Sequence, residues 1–260
     1  MKAQRLQQVP IRAPTFTCDT NAVHASLEEH PALRTFNRYN TTLVIGQPGS
    51  GKSSLATALI TGKGRARVFR KRMDHIVVFQ PTSSRQSMQE DPFTGEVSLD
   101  FPELDIVSLT EAYEAIVGWS EAGEKTLVYI DDCTVSLKVK AVEELLSRMS
   151  FNRRHLKLNL IITSQIYNRL PMGLRKSASV VVLFHMPNKK EISNLFEELL
   201  SLDQEQWRAM SRYVYQHRPG QRSHDFILLD TIGQLYFKNM DEHLTFPDQD
   251  DSCCSDEEST

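Results

Sequence analysis

Short apolar runs bounded by polar or turn-forming residues recur along the chain, and between them lie segments whose apolar positions repeat every three or four residues. Leu43-Val44-Ile45 and the runs at 75–80, 125–130, 158–165 and 178–184 have the length and β-branched content of strands buried on both faces. A further run at 104–109, Leu-Asp-Ile-Val-Ser-Leu, reads as another strand, followed by a helix over 110–120. Helical spacing marks 55–60, 141–149 (through Val142, Leu145, Leu146 and Met149), 189–200 and 203–216. Residues 225–230 and 234–238 read as a hairpin turning at Thr231-Ile232-Gly233, whereas 82–95 is polar and irregular. Strands that alternate with helices predict an α/β fold, a mainly parallel central sheet flanked by helices on both faces, closed by a C-terminal β-hairpin. Residues 1–40 lack clear periodicity; a short strand at 15–18 and a helical turn at 23–27 make them an N-terminal segment packed on the core. Three regions are therefore expected: 1–40, a nucleotide-binding domain over 41–247, and a tail over 248–260.

With 260 residues, 40% of them hydrophobic, the chain can bury one sizeable core. No apolar run approaches the roughly 18 residues that cross a bilayer, and the start, Met1-Lys2-Ala3-Gln4-Arg5-Leu6, has no secretory hydrophobic region. An intracellular protein with no membrane partner is expected. Cys18, Cys133, Cys253 and Cys254 form no CxxC pair and have no His at zinc-finger spacing, so reduced thiols are predicted, with Cys133 as packing. The net charge of −3 conceals an asymmetry, because Asp248, Asp250, Asp251, Asp256, Glu257 and Glu258 crowd the tail and no base joins them. Such a block reads as a solvated disordered end, with docking or regulation as the alternative.

The chemistry starts at Gly46-Gln47-Pro48-Gly49-Ser50-Gly51-Lys52-Ser53, a complete GxxxxGK[ST] phosphate loop with a strand before it and a helix after it. Its glycines let backbone N–H groups turn around a polyphosphate, and the helix start, Ser54 included, adds its positive dipole end. Lys52 reaches the β- and γ-phosphates, and Ser53 is placed to hold Mg²⁺. Downstream, the strand at 125–130 ends in Asp131-Asp132. Asp131 is expected to hold the metal, directly or through water, and Asp132 to orient or deprotonate the attacking water. The next strand ends in Thr163-Ser164-Gln165; Gln165 would lie beside the γ-phosphate if the two strands are neighbours, and otherwise caps a turn. Arg153 and Arg154 precede that strand, at the end away from Gln165, so either could enter an adjacent subunit's site or simply be solvated. Lys63, Arg65, Arg67, Arg70, Lys71 and Arg72 form a basic run that fits either a nucleic-acid backbone contact or the exposed face of a linking segment.

The order of these motifs, ending in Arg153-Arg154-His155, Leu160-Ile161-Ile162-Thr163-Ser164-Gln165 and Leu170-Pro171, resembles the viral genome-packaging ATPases, the poxvirus-type branch of the FtsK/HerA P-loop superfamily, over about residues 40–190. The resemblance implies an additional-strand P-loop domain and a homo-oligomeric ring of five or six copies. It also implies ATP hydrolysis with Mg²⁺ that drives double-stranded DNA into a preformed capsid, alongside capsid or portal-vertex proteins. The setting it implies is a viral assembly site in a host cell, or the virion itself. Arg154 or Arg153 would be the finger acting in trans, and Gln165 the sensor. Many cellular members carry a glutamate after the metal-binding aspartate, whereas this chain and often the viral branch have Asp132. Two other classes remain open on the residues alone: a P-loop nucleotide kinase, indifferent to DNA, and a non-hydrolysing switch or scaffold that needs only Lys52, Ser53 and Asp131.

Overall fold

Elements follow directly from the burial each run can achieve. The computed structural model describes residues 2–5, 30–36, 39–62, 68–86, 92, 93, 95, 97–216 and 223–246. In chain order the elements are β1 (Lys2–Arg5), α1 (Pro31–Arg34), β2 (Thr41–Ile45), α2 (Lys52–Thr61), β3 (His75–Phe79), α3 (Thr82–Gln86), β4 (Leu99–Phe101), α4 (Ile106–Glu121) and β5 (Thr126–Ile130). They continue with α5 (Lys140–Phe151), β6 (Leu158–Ser164), α6 (Met172–Ser177), β7 (Val180–Phe184), α7 (Lys189–Leu199), α8 (Gln204–Val214), β8 (Phe226–Asp230), β9 (Leu235–Lys238) and β10 (Glu242–Thr245). The expected strand at 15–18, the helical turn at 23–27, Lys63, Arg65 and Arg67, and the acidic tail lie outside the described residues.

All strands among the described residues join one ten-stranded sheet in the order β1-β10-β9-β8-β7-β2-β6-β5-β3-β4. From β7 to β4 the pairing is parallel. Beyond β7 it is antiparallel, and the predicted hairpin is β8 and β9, with β10 and β1 extending it to the edge. Because β2, β5, β6 and β7 are buried at every position, they need apolar residues on both faces and read as continuous rather than alternating runs. Leu43, Ile45, Val128, Ile130 and Ile162 enter one core with Leu109, Leu146 and Leu195, while Val44, Leu127, Tyr129 and Ile161 enter the other with Leu55 and Leu59. Among the described residues no helix is long and apolar enough to cross a membrane.

Two stretches depart from the sequence reading. Residues 104–109 are not a strand: the helix begins at Ile106, and the edge strand beyond β3 is Leu99–Phe101. Asp105 decides it, since its side chain accepts from the Ser108 N–H at 2.8 Å while Ser108 Oγ takes the Asp105 N–H at 3.2 Å, a reciprocal cap that outweighs the β preference of Ile106 and Val107. Those two apolar residues are left exposed on the first turn. Asp105→Ala is expected to destabilise the fold by removing this cap, read as a lower denaturant midpoint. A short helix, α3, also occupies part of the stretch expected to be irregular.

Candidate nucleotide site

Strand register gathers the motif residues at the carboxyl ends of β2, β6 and β5, which are adjacent in that order. β6 runs two residues further than β5, with Ile130 opposite Ile162 and Ile45 opposite Ser164. Asp131 therefore stands level with Thr163, whose hydroxyl donates to Asp131 Oδ1 at 2.5 Å. On the other side Phe79 is opposite Ile130, so Gln80 meets Asp131 and its Nε2 donates to Oδ2 at 2.9 Å. From the phosphate loop, Ser53 Oγ donates to Asp131 Oδ1 at 3.0 Å. Three donors thus hold a carboxylate that is 1% exposed. Burying an anion is tolerable only with this degree of satisfaction.

The loop itself turns on two glycines with positive φ, Gly49 at 73° and Gly51 at 103°. Such backbone strains a side chain carrying Cβ, and Gly51 also caps the N-terminus of α2, which begins at Lys52. Lys52 Nζ donates to the Gln47 carbonyl at 2.9 Å across the loop. Burial lowers its pKa, and the charges of Asp131 and Asp132 act in the opposite direction. Gly46 donates its N–H to the Ser164 carbonyl at 3.2 Å, tying the loop to β6. A Cβ on Gly46 would lie 2.6 Å from Phe184 Cβ and 2.8 Å from Ser50 Oγ. Gly46→Ala is therefore expected to cost about 1–3 kcal/mol of stability. The penalty should shrink in a Phe184→Gly background, which removes the Cβ that the new methyl would meet, as a denaturation double-mutant cycle would measure. On the same side His224 Nδ1 donates to the Ser50 carbonyl at 3.0 Å, bracing the loop from the start of β8.

Asp132 is exposed and adopts a left-handed backbone with φ 53°, a conformation that aspartate and asparagine tolerate better than most residues. Its N–H donates to Thr163 Oγ1 at 3.1 Å, and its Oδ1 accepts from Gln165 Nε2 at 2.9 Å. A single threonine thus links both aspartates, and the strand between them and the phosphate loop supplies the amide. Tyr129, fully buried, has its pKa raised well above the ordinary tyrosine value by burial first and by the Asp131 charge second, so it stays neutral. Burial likewise pushes the Cys133 thiol up to about 12, with Asp131 and Asp132 adding, and that free cysteine serves as packing.

The donor set fits magnesium. Ser53 Oγ and Asp131 Oδ1 are 3.0 Å apart, close to the roughly 3 Å between adjacent oxygens of an octahedral ion with bonds of 2.0–2.1 Å. Two hard oxygen ligands would leave the remaining positions to water and phosphate, the usual arrangement for this cation.

The arginine pair is divided by its surroundings. Arg153 is half-buried; its Nε donates to the Tyr39 carbonyl and its Nη1 to the Ser150 carbonyl, both at 2.9 Å, and burial, with the charge of Arg154, lowers its pKa. Arg154 is exposed. Both stand in the turn that leads into β6, whose seven residues span roughly 20 Å to Gln165 at the opposite end. Arg175 is paired with Glu198 and lies over the Tyr167 ring, and Arg70, from the basic run, donates to the Thr61 carbonyl at 3.3 Å.

Sequence reasoning did not single out Gln80, Phe184 or His224, and it took Thr163 only as part of a strand end. For Gln80 a signal existed, a polar residue closing an apolar strand ahead of Pro81, but its partner depends on register. Phe184 and His224 meet the loop only through the sheet order.

No protein-family model matches the sequence, and no curated protein matches it. Solved structures do. The genome-packaging NTPase B204 of Sulfolobus turreted icosahedral virus 2, in complex with AMPPCP, is 15% identical with a TM-score of 0.53, covering 80% of this chain and 98% of its own. B204, the DNA-packaging ATPase of Sulfolobus turreted icosahedral virus, gives 14% identity and a TM-score of 0.57, over 81% and 99%. EssC (ATPases 2 and 3) of Geobacillus thermodenitrificans gives 12% and 0.52, over 74% of this chain and 37% of that one. At these identities the likeness is one of fold. The chain has the P-loop ATPase fold of these neighbours, and the resemblance to viral packaging ATPases read from its motifs agrees with the structures it matches.

Proposed function

We propose that this protein is an ATP-hydrolysing motor that moves double-stranded DNA into a viral capsid, working as a ring in which each active site is completed by the next copy. The observation that carries the reading is the hydrogen-bonded row Ser53, Asp131, Thr163, Asp132 and Gln165 across three adjacent strand ends, which joins phosphate loop, metal ligand, base and sensor in one unit. Gly46, Gln47, Pro48, Gly49, Ser50, Gly51 and Ser54 cradle the phosphates through backbone and helix start, and Lys52 exchanges the Gln47 carbonyl for phosphate oxygens. Ser53 and Asp131 would hold Mg²⁺, which neutralises charge on the β- and γ-oxygens. Asp132 orients the water and accepts its proton. Gln165, released from Asp132 when phosphate occupies the site, reports that state along β6. Arg154 supplies positive charge to the neighbour's transferring phosphoryl group. Residues 41–247 form the motor domain in this reading.

DNA as the cargo is supported by the likeness to a DNA-packaging ATPase over almost that protein's whole length. Steady-state ATPase activity with and without long duplex DNA, alongside solution mass, tests the reading. Duplex should stimulate turnover in a multimer, and stimulation should fall steeply as salt rises, because backbone contacts release counterions. Turnover indifferent to duplex in a monomer or dimer would favour a nucleotide kinase.

A further inference from the structure

Eight large apolar side chains are exposed among the described residues, and six of them fall into two patches. The first rims the nucleotide site. Val135, 77% exposed, and Val139, 51% exposed, line a groove with Ile106 and Asp132, and Val107 lies beside it on the first turn of α4. Glu103 and Asp105 make that rim acidic. The second patch lies at the other end of the sheet. Phe151 is 60% and Met172 is 54% exposed, and Phe151 reaches the Met172-Gly173 start of α6, where a Cβ on Gly173 would come within 3.6 Å of its ring. Exposed Arg154 and Lys176 stand beside this patch, and Lys140, Arg148, Glu143 and Glu144 line the surface next to Phe151.

We propose that these two patches are the two halves of one head-to-tail junction: Phe151 and Met172 of one copy seat in the Val135–Val139 groove of the next. The occupant is a second copy of this chain for three reasons. The groove itself is lined by Glu103, Asp105 and Asp132, while Arg154 and Lys176 stand beside Phe151 and Met172, so these groups are complementary in charge. The patches lie at opposite ends of the sheet, which makes the contact heterologous and able to close into a ring. Finally, Arg154 follows Phe151 by three residues while Asp132 lines the groove, so seating the apolar pair carries the guanidinium to the site that lacks it in its own chain. The assignment rests on the ring reading above and names its surfaces.

The test uses Phe151→Asp and Val135→Asp, changes at exposed positions, with thermal melting to verify folding. Each variant alone is expected to be monomeric and to lose at least tenfold of the duplex-stimulated turnover. Mixed, the Val135→Asp chain still offers an intact Phe151 and the Phe151→Asp chain an intact groove, so a heterodimer with one working site should form. Adding Lys52→Ala to the Phe151→Asp chain should silence that mixture, and adding it to the other chain should not. As a second measurement, in a background with Cys18, Cys253 and Cys254 changed to Ser, Phe151→Cys and Val135→Cys chains should cross-link to each other on oxidation and not to themselves. If the wild type assembles and both Asp variants assemble and turn over like it, the junction is wrong while the ring stands. A wild type that stays monomeric with nucleotide and duplex overturns both.

Discussion

Arg154→Ala is expected to reduce ATP turnover of the assembled protein by about 10³- to 10⁵-fold, the range for removing a finger that acts in trans, with nucleotide affinity nearly unchanged. The loss should fall in turnover because the guanidinium meets charge that develops on the phosphoryl group as it transfers, not charge already balanced in the bound substrate. Its neighbour provides the contrast. Arg153 donates to the carbonyls of Tyr39 and Ser150, so Arg153→Ala leaves two half-buried acceptors without a partner and should lower stability by about 1–3 kcal/mol. Its folded fraction should still hydrolyse. Single-turnover kinetics beside denaturation curves separate the two outcomes, and equal kinetic losses would mean that the pair acts together.

Asp132→Asn should lower the hydrolytic step by about 10²- to 10⁴-fold, the usual contribution of a positioned base. Asparagine tolerates the left-handed backbone at this position and can still accept from Gln165, so fold and nucleotide binding are expected to survive. What disappears is the carboxylate able to take a proton from water. A pre-steady-state measurement of phosphate release, with a fluorescent nucleotide to monitor binding, isolates that step. Retention of full biological function by the Asn variant, with no hydrolysis, would instead identify a nucleotide-dependent switch.

The sequence made the contiguous parts of the site legible and left the register-dependent parts hidden. A phosphate loop needs glycines, lysine and serine at fixed spacing because one turn of backbone must wrap a polyphosphate, so its residues announce themselves locally. The buried strands were equally plain, since β2, β5, β6 and β7 must be apolar on both faces. Gln80 could be recognised as a partner of Asp131 only after β3 was known to lie beside β5 with Phe79 opposite Ile130. The misplaced strand at 104–109 has a local cause, because Ile106 and Val107 favour β structure while the Asp105 and Ser108 cap, three residues apart, signals a helix start. β4 is only three residues long, and β1 is the polar Lys-Ala-Gln-Arg, so neither carries the apolar run by which strands are found. Nor does spacing alone divide Arg153 from Arg154. The division comes from the fold, which ties one to the backbone and leaves the other exposed.

Mixing two inactive chains tests the shared site most directly. Lys52→Ala removes the phosphate contact but leaves Arg154, while Arg154→Ala leaves a complete phosphate loop. When mass measurement shows that the two have assembled together, the account predicts that duplex-stimulated hydrolysis returns in proportion to junctions that pair an intact loop with an intact finger. Verified mixed assemblies that remain silent at every ratio would contradict it.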